Sequence, residues 1–321
     1  MTEEAIDPRA LRIAAVIPCF NEALAIAQVV AEFKAALPEA EIHVFDNNST
    51  DDTAGVARAS GATVTHVALR GKGNVARRMF ADVEADVYVM VDGDATYDIG
   101  EVRRMIDLLV EGNLDMVVGS RVDDGADAQT YRRGHRFGNA VLTGAVASLF
   151  GGRLTDMLSG YRVFSRRYAK SFPAVSKGFE IETELTVHAL ELRMAIAEVP
   201  VRYRSRPEGS QSKLSTYRDG WRILKTICQL FVSERPLQFF GSIAGLLALL
   251  SIVLAEPLVA TYLRTGLVPR FPTAVLVTGL MLVAMLSFVC GVVLHTVTIG
   301  RQEAKRLCYL AIPGVRYRGR P

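Results

Sequence analysis

Two long uncharged apolar runs near the C-terminus constrain this chain more than any other feature. Leu237–Ala255 (LQFFGSIAGLLALLSIVLA) is 19 residues without a charge. As an α-helix it would extend about 28 Å, close to the roughly 30 Å hydrocarbon core of a bilayer. Thr273–Ile299 is a second uncharged run, long enough to cross with some tilt. Glu256, Pro257, Arg264, Pro269, Arg270 and Pro272 lie between the runs and predict a helix end and a short turn. Two buried helices of a soluble core are the alternative reading.

Lys and Arg near the ends of a span set its orientation. Arg218, Arg222, Lys225 and Arg235 precede the first run, and Arg301, Lys305, Arg306, Arg316, Arg318 and Arg320 follow the second. The connector holds only Arg264 and Arg270, so the expectation is a multi-pass hairpin in the inner (plasma) membrane with both termini cytoplasmic. Just upstream, Tyr217, Trp221, Leu224, Cys228 and Phe231 recur every three or four residues beside basic side chains. That spacing suits an amphipathic helix in the headgroup layer, or one packed on the globular domain. The expected division is 1–215 as a soluble domain, 216–235 as the juxtamembrane helix, 236–300 as the hairpin and 301–321 as a basic tail.

The soluble stretch alternates short β-rich runs (Ile13–Ile17, Ile42–Phe45, Thr63–Val67, Val87–Val91, Met116–Val118) with helical ones (about Ala23–Leu37, Thr53–Ser60, Val75–Val83, Val102–Glu111). This predicts an α/β fold, a mostly parallel sheet covered by helices. Ligands bind such sheets at the carboxyl ends of the strands. All five strand ends carry polar, charged or glycine residues. A formal net charge of +3 argues against nucleic acid as a partner. Cys19, Cys228, Cys290 and Cys308 are widely spaced and form no CxxC pair, as expected of free thiols in a reducing compartment. The N-terminus lacks a basic region followed by a signal-type apolar core, so export of the N-terminal domain is not expected.

The run Tyr88–Asp98 (YVMVDGDATYD) leads a strand directly into Asp92, Asp94 and Asp98. Carboxylates one residue apart repel unless a cation lies between them. Mg²⁺ or Mn²⁺ between carboxylates and a substrate diphosphate would meet that need, while solvated loop aspartates are the simpler account. Gly93 would let the backbone turn close to a ligand.

IPCFNE (17–22), DNNSTDDT (46–53), RGKG (70–73), DGD (92–94) and DMLSGYR (156–162) occur in one order. Together they resemble the family 2 glycosyltransferases of GT-A (Rossmann-like) fold, specifically the polyprenyl-phosphate (dolichyl-phosphate) hexose synthases. The resemblance runs from Arg12 through the hairpin. It implies a nucleotide-sugar pocket from Pro18, Phe20, Glu22, Asp46 and Asp92, with Lys72 on phosphate or simply on the surface. Asp46 has an Asx turn as its alternative. Asp94 and Asp92 would ligate the metal. Thr96 stands where relatives often carry a glutamine ligand. Arg121, Arg133, Arg202, Arg204 and Lys213 would hold phosphates, chiefly the acceptor's. Asp156 matches the acidic residue proposed as a base. A phosphate monoester is already largely ionised at cytoplasmic pH, so Asp156 as an orienter of Arg162 or of a sugar hydroxyl stays equally open. Glu180, Glu182 and Glu184 are expected to be structural or sugar-orienting.

The resemblance thus implies an inverting, metal-dependent hexosyltransferase acting on polyprenyl phosphate at the bilayer, assembled as a homo-oligomer. RGKG with Arg77 and Arg78 is more similar to the UDP-glucose branch than to the GDP-mannose branch, with galacturonate or an N-acetylhexosamine as further donors. A transferase to another glycolipid and a non-catalytic scaffold of the same fold are the alternatives. QxxRW, the signature of processive members, is absent.

Overall fold

A computed structural model of the chain describes residues 11–122, 143–144, 146–151, 154–178, 180–207 and 216–315. The alternation read from sequence is present as β1 (Ile13–Cys19), α1 (Ile26–Ala36), β2 (Glu41–Asp46), α2 (Thr53–Ala59), β3 (Thr63–His66), α3 (Lys72–Asp82), β4 (Val87–Met90), α4 (Val102–Glu111) and β5 (Met116–Val122). Then follow β6 (Arg162–Ser165), α5 (Arg166–Ser171), α6 (Ile181–Glu191) and β7 (Ile196–Arg202). The strands form one seven-stranded sheet in the order β3-β2-β1-β4-β6-β5-β7. β6 runs antiparallel to β4 and β5, and every other pairing is parallel. This is the expected mostly parallel GT-A-type sheet.

Alternation along the strands separates two apolar layers. Ile13, Ala15 and Ile17 of β1 and Val87 and Val89 of β4 face one layer, which α1 covers with Ile26, Val29, Val30 and Phe33. Ala14, Val16, Tyr88 and Met90 face the other, covered by Val75, Met79 and Phe80 of α3 and by Ile181 and Leu185 of α6. Both faces are dry, so the polar strand ends are left to the sheet's carboxyl edge. β2 and β3 lie on one side of β1 and β4 on the other, so the chain reverses its order between β1 and β4. A crevice opens at such a switch point.

After the sheet come α7 (Thr216–Glu234), α8 (Pro236–Thr265) and α9 (Phe271–Leu310). The chain divides into two compact units, one of 1–226 with 305–321 and one of 227–304. In α7, Trp221 is 68% and Leu224 41% exposed, whereas Ile227 is buried. α8 and α9 are long and apolar enough to cross a membrane. Their facing surfaces are small and partly polar: Ala244, Ser251, Ala284 and Gly291 are among the buried residues, and Ser251 Oγ donates to the Val277 carbonyl at 2.9 Å. Small residues let helix backbones approach where lipid offers no hydrophobic drive.

Two expectations about this region are corrected. Pro257 was expected to end the first helix, but α8 runs through it to Thr265 and stops at Gly266, which is left-handed at φ 70°. A proline removes one helical N–H, and in a long apolar helix that leaves the rest of the ladder intact. The residues from 301 were expected to be a free tail, yet α9 continues to Leu310. Residues 305–315 group with the soluble unit, where Lys305 Nζ pairs with Glu191 at 2.8 Å and Tyr309 OH donates to the buried Asp115 at 2.9 Å.

Candidate active site

A cavity of about 330 Å³ lies at the switch point. Its walls come from the ends of β1, β4, β5 and β7 and from the N-terminal parts of α3 and α6, so residues distant in sequence meet there. At one end Pro18, Phe20 and Glu22 line it, and the Arg70 guanidinium carbon lies 5.6 Å from the Phe20 ring centre. The loop carrying them is fixed from below, where the Glu22 N–H donates to Thr53 Oγ1 at 2.8 Å. Asp46 is absent from this wall. Its carboxylate accepts from the Ser49 N–H at 3.3 Å and faces His66 Nδ1 at 3.3 Å, which is the Asx-turn alternative. The neighbouring Asn47 lines the cavity instead. Asn47 Nδ2 donates to the Val67 and Leu69 carbonyls and Oδ1 accepts from the Gly71 N–H at 2.6 Å, so it clasps the RGKG loop.

That loop presents Lys72 at the first position of α3. Gly71 has φ 121°, and a Cβ there would stand 2.0 Å from the Lys177 carbonyl oxygen, so only glycine fits. Lys72 is no surface lysine: its ammonium is buried, ion-paired to Asp92, and 2.6 Å from Glu182 Oε1. Burial alone would strip its proton, but Asp92 and Glu182 outweigh burial and hold its pKa well above the usual lysine value. Burial pushes the Glu182 carboxyl up; Lys72 pulls it back only in part. Glu182 Oε2 is buried and has no hydrogen-bond partner among the described residues.

Asp92 and Asp94 both line the cavity, with Gly93 between them. A Cβ at Gly93 would fall 2.4 Å from Cys19 Sγ, so the turn requires glycine for space. Ala95 follows at φ 57°, a left-handed conformation that costs a non-glycine residue energy and is held by its surroundings. Thr96 is placed behind Asp94 and away from the cavity wall. Its hydroxyl donates to Asp94 Oδ1 at 2.6 Å and its N–H to the same oxygen at 3.2 Å. The other carboxylate oxygen, Oδ2, accepts from Arg206 Nη2 at 2.6 Å. Arg206, like Asn47, was not singled out from sequence. No cluster of three or more His, Cys, Asp or Glu suited to a metal occurs among the described residues. The donor set still fits a hard divalent ion whose remaining ligands come from a diphosphate and water: carboxylate oxygens of Asp94 and Asp92 at one wall.

Across the cavity, Arg121 at the end of β5 is gripped by Asp156 through two parallel bonds, Nε to Oδ2 and Nη2 to Oδ1, each 2.7 Å. Arg121 lines the cavity and lies 5.6 Å from the Tyr203 ring centre; Asp156 sits behind it, buried. Arg162 does not pair with Asp156. It is fully buried and donates to the main-chain carbonyls of Met157, Ser159 and Glu182 and to Thr186 Oγ1. Arg204 pairs with Glu32 and Asp98 at 2.9 Å each, away from the cavity wall, and Arg202 is exposed on β7. Arg77 donates to the Ala174 carbonyl and Arg78 pairs with Asp82, so neither supports a choice of donor. Glu180 precedes α6, and Glu184 accepts the Val175 and Ser176 N–H groups at 2.8 and 2.7 Å, a structural role. Arg133 and Lys213 lie outside the described residues.

Residues 14–172 match the family model described as glycosyl transferase family 2. Glycosyltransferase AglJ of Haloferax volcanii is 35% identical over 227 residues, 70% of this chain and 74% of that protein. The dolichyl-phosphate hexose transferase of the same organism is 28% identical over 235 residues, 73% of this chain and 99% of that protein. Among solved structures, glucosyl-3-phosphoglycerate synthase from Mycobacterium tuberculosis, in complex with Mn²⁺, uridine-diphosphate-glucose and glycerol 3-phosphate, aligns with a TM-score of 0.55 at 25% identity. That alignment covers 68% of this chain and 80% of that one. All five motif-bearing strand ends and loops around the cavity fall within the matched region, and the chain belongs to glycosyl transferase family 2.

Proposed function

We propose that the protein transfers a hexose, glucose from UDP-glucose, to the phosphate of a polyprenyl phosphate at the cytoplasmic face of a membrane. The observation that carries this reading is one cavity in which paired carboxylates (Asp92, Asp94) face cations from three separate elements (Lys72, Arg121, Arg206). Such a lining suits a diphosphate that is first bound and then released as a leaving group. The dolichyl-phosphate hexose transferase relative supports the acceptor class, and the structural neighbour bound to UDP-glucose supports the donor. The apolar helices α8 and α9, with arginine and lysine concentrated at their outer flanks, support membrane attachment with both termini cytoplasmic.

In this reading Phe20 and Arg70 flank the nucleobase, and Asn47 holds the loop that presents Lys72. Asp94, with Asp92, would hold Mg²⁺ or Mn²⁺, which supplies Lewis-acid stabilisation of the departing diphosphate. Arg121 and Arg206 face developing negative charge, in a partly buried site where such charges count for more than in water. The acceptor phosphate oxygen attacks the anomeric carbon in line, the bond to the diphosphate breaks, and the configuration inverts. That oxygen is already ionised near neutral pH, so no protein base is required. Asp156 acts by fixing Arg121, and catalysis rests on alignment.

The test is transfer of radiolabel by the purified chain to polyprenyl phosphate with Mg²⁺ or Mn²⁺. UDP-glucose, UDP-galacturonate, UDP-N-acetylglucosamine and GDP-mannose are run in parallel, with Asp94→Ala as control. The expected result is organic-extractable label from UDP-glucose that the variant loses. Label from GDP-mannose alone would overturn the donor, and no lipid product from any donor would overturn the acceptor.

A further inference from the structure

We propose that Glu182, Lys72 and Asp92 form the subsite that grips the donor's sugar by its hydroxyls, and that this subsite selects a neutral hexose over a uronic acid. The inference rests on the glycosyl-transfer reading above and adds a selection rule to it.

Three observations carry it. First, Glu182 belongs to the cavity lining although α6 is otherwise packed inside the fold, with Ile181, Thr183, Leu185 and Thr186 all buried. Second, its two oxygens are used differently. Oε1 accepts from Lys72 at 2.6 Å, while Oε2 is buried with no partner among the described residues. A buried carboxylate oxygen needs a hydrogen-bond donor. A sugar hydroxyl is a donor of the right kind, and an anionic group is not. Third, the trio is rigid. Arg162 Nη2 donates to the Glu182 carbonyl at 3.1 Å, and Glu184 holds the backbone just before the helix. Cβ atoms at Gly71 and Gly73 would stand 2.0 and 2.1 Å from the carbonyl oxygens of Lys177 and Ser176, so the Lys72 loop lies against the same segment. On the far side Asp92 is pressed against Gly160, where a Cβ would meet its Oδ2 at 2.3 Å.

Charge then sets the selection. One ammonium stands between two carboxylates, so the trio carries a net negative charge. A hexose hydroxyl can donate to Glu182 Oε2 while its own oxygen accepts from Lys72. A uronate carboxylate placed there cannot donate, and it adds a third negative charge beside Asp92 and Glu182. A site built to hydrogen-bond one group rejects the analogue lacking it by large factors, because its buried polar atoms are left unpaired.

The experiment is equilibrium binding, read by calorimetry with Mg²⁺ present, of UDP, UDP-glucose and UDP-galacturonate to the full detergent-solubilised chain. The wild type is expected to bind UDP-glucose at least tenfold more tightly than UDP-galacturonate. Glu182→Gln, whose amide supplies a donor where the sugar needs an acceptor, is expected to weaken UDP-glucose about tenfold and to bring the two sugars within threefold. Its affinity for UDP, which carries no sugar, is expected to stay within twofold. Unchanged sugar discrimination in a variant that still binds UDP overturns the proposal. Should the variant fail to fold, equal wild-type affinities for the two donors overturn it alone. A wild type that binds neither UDP nor any UDP-sugar overturns the donor reading itself, an outcome distinct from both.

Discussion

Arg206 occupies the position on Asp94 that a divalent cation would take, and this makes an experiment possible before any substrate is known. Arg206 Nη2 lies 2.6 Å from Asp94 Oδ2, with the Asp94 side chain 6% and the Arg206 side chain 23% exposed. At a charge separation of about 4 Å and an effective dielectric near 20 the attraction is about 4 kcal/mol. Most of that is offset by the hydration an arginine regains when it lets go, leaving a net of about 1.5–3 kcal/mol for a charge-assisted hydrogen bond. A metal ion binding without nucleotide must first break this pair. Arg206→Gln is therefore expected to tighten Mn²⁺ binding about tenfold, taking the lower end of that range. The assay is titration of the nucleotide-free protein, with free Mn²⁺ read from its electron paramagnetic resonance signal. Arg204→Gln removes the same charge two residues away but from a side chain paired with Glu32 and Asp98. It is expected to shift the affinity by less than threefold. If Arg206→Gln leaves Mn²⁺ affinity unchanged, or if both variants shift it equally, direct competition at Asp94 is refuted.

Two further predictions concern the machinery around the cavity. Asp156→Asn keeps the shape but halves the charge-assisted grip on Arg121, so turnover should fall by about 10–100-fold, the range typical of a misplaced catalytic contact, with the pH profile unchanged. Loss of an ionisation from that profile would restore Asp156 as a base. His188, 3% exposed in α6, has its pKa lowered from 6.5 to about 3, by burial first and then by the Lys305 charge. Its folded value lies below its unfolded one, so its stability contribution is complete above pH 6.5 and is lost as pH falls from there toward 3, by about 1.4 kcal/mol per pH unit. His188→Phe, against the rings of Tyr168 and Phe172 at 5.4 and 5.3 Å, should flatten the acid limb in chemical denaturation between pH 4 and 6.5. An unchanged limb would mean the ring is protonated in the folded state.

Much of the sheet was readable because its strands obey local rules. β1, β2, β4 and β5 are short apolar runs broken by turn residues, and they lie where that pattern put them. β6 escaped notice because it is four residues long and opens on Arg162, whose charge argues against a buried strand until its carbonyl partners are known. β7 escaped because Glu198 and Pro200 interrupt it, and proline is tolerated there only because the strand lies at the edge of the sheet. The same limit governs the site. Motifs named the loops but not which side chain of each loop turns inward. Asn47 lines the cavity where Asp46 was expected, and Arg206 where Arg204 was. Alternation past the end of β7 could have raised Arg202, Arg204 and Arg206 together, but a sequence does not say which of three arginines meets a carboxylate from residue 94. The pairing of Lys72 with Glu182 spans 110 residues, and no local pattern records it.

The clustered carboxylates that open the functional question are not left to repel each other. Asp92 has Lys72, Asp94 has Arg206 and Asp156 has Arg121, each pair joining different elements of the fold. Proximity of like charges therefore does not by itself require a metal, and the acidic motif alone is weak ground for catalysis. What distinguishes this arrangement is where the cations stand. Lys72, Arg121 and Arg206 all reach the same cavity wall, on α3, on β5 and just beyond β7. A purely structural role would be served better by burying each pair apart, or by apolar residues of the same volume, since buried ion pairs are a poor source of stability. Gathering three of them around one space gives an incoming anion several protein cations to draw on. It gives a metal two carboxylates that the protein's own cations hold in place until it arrives.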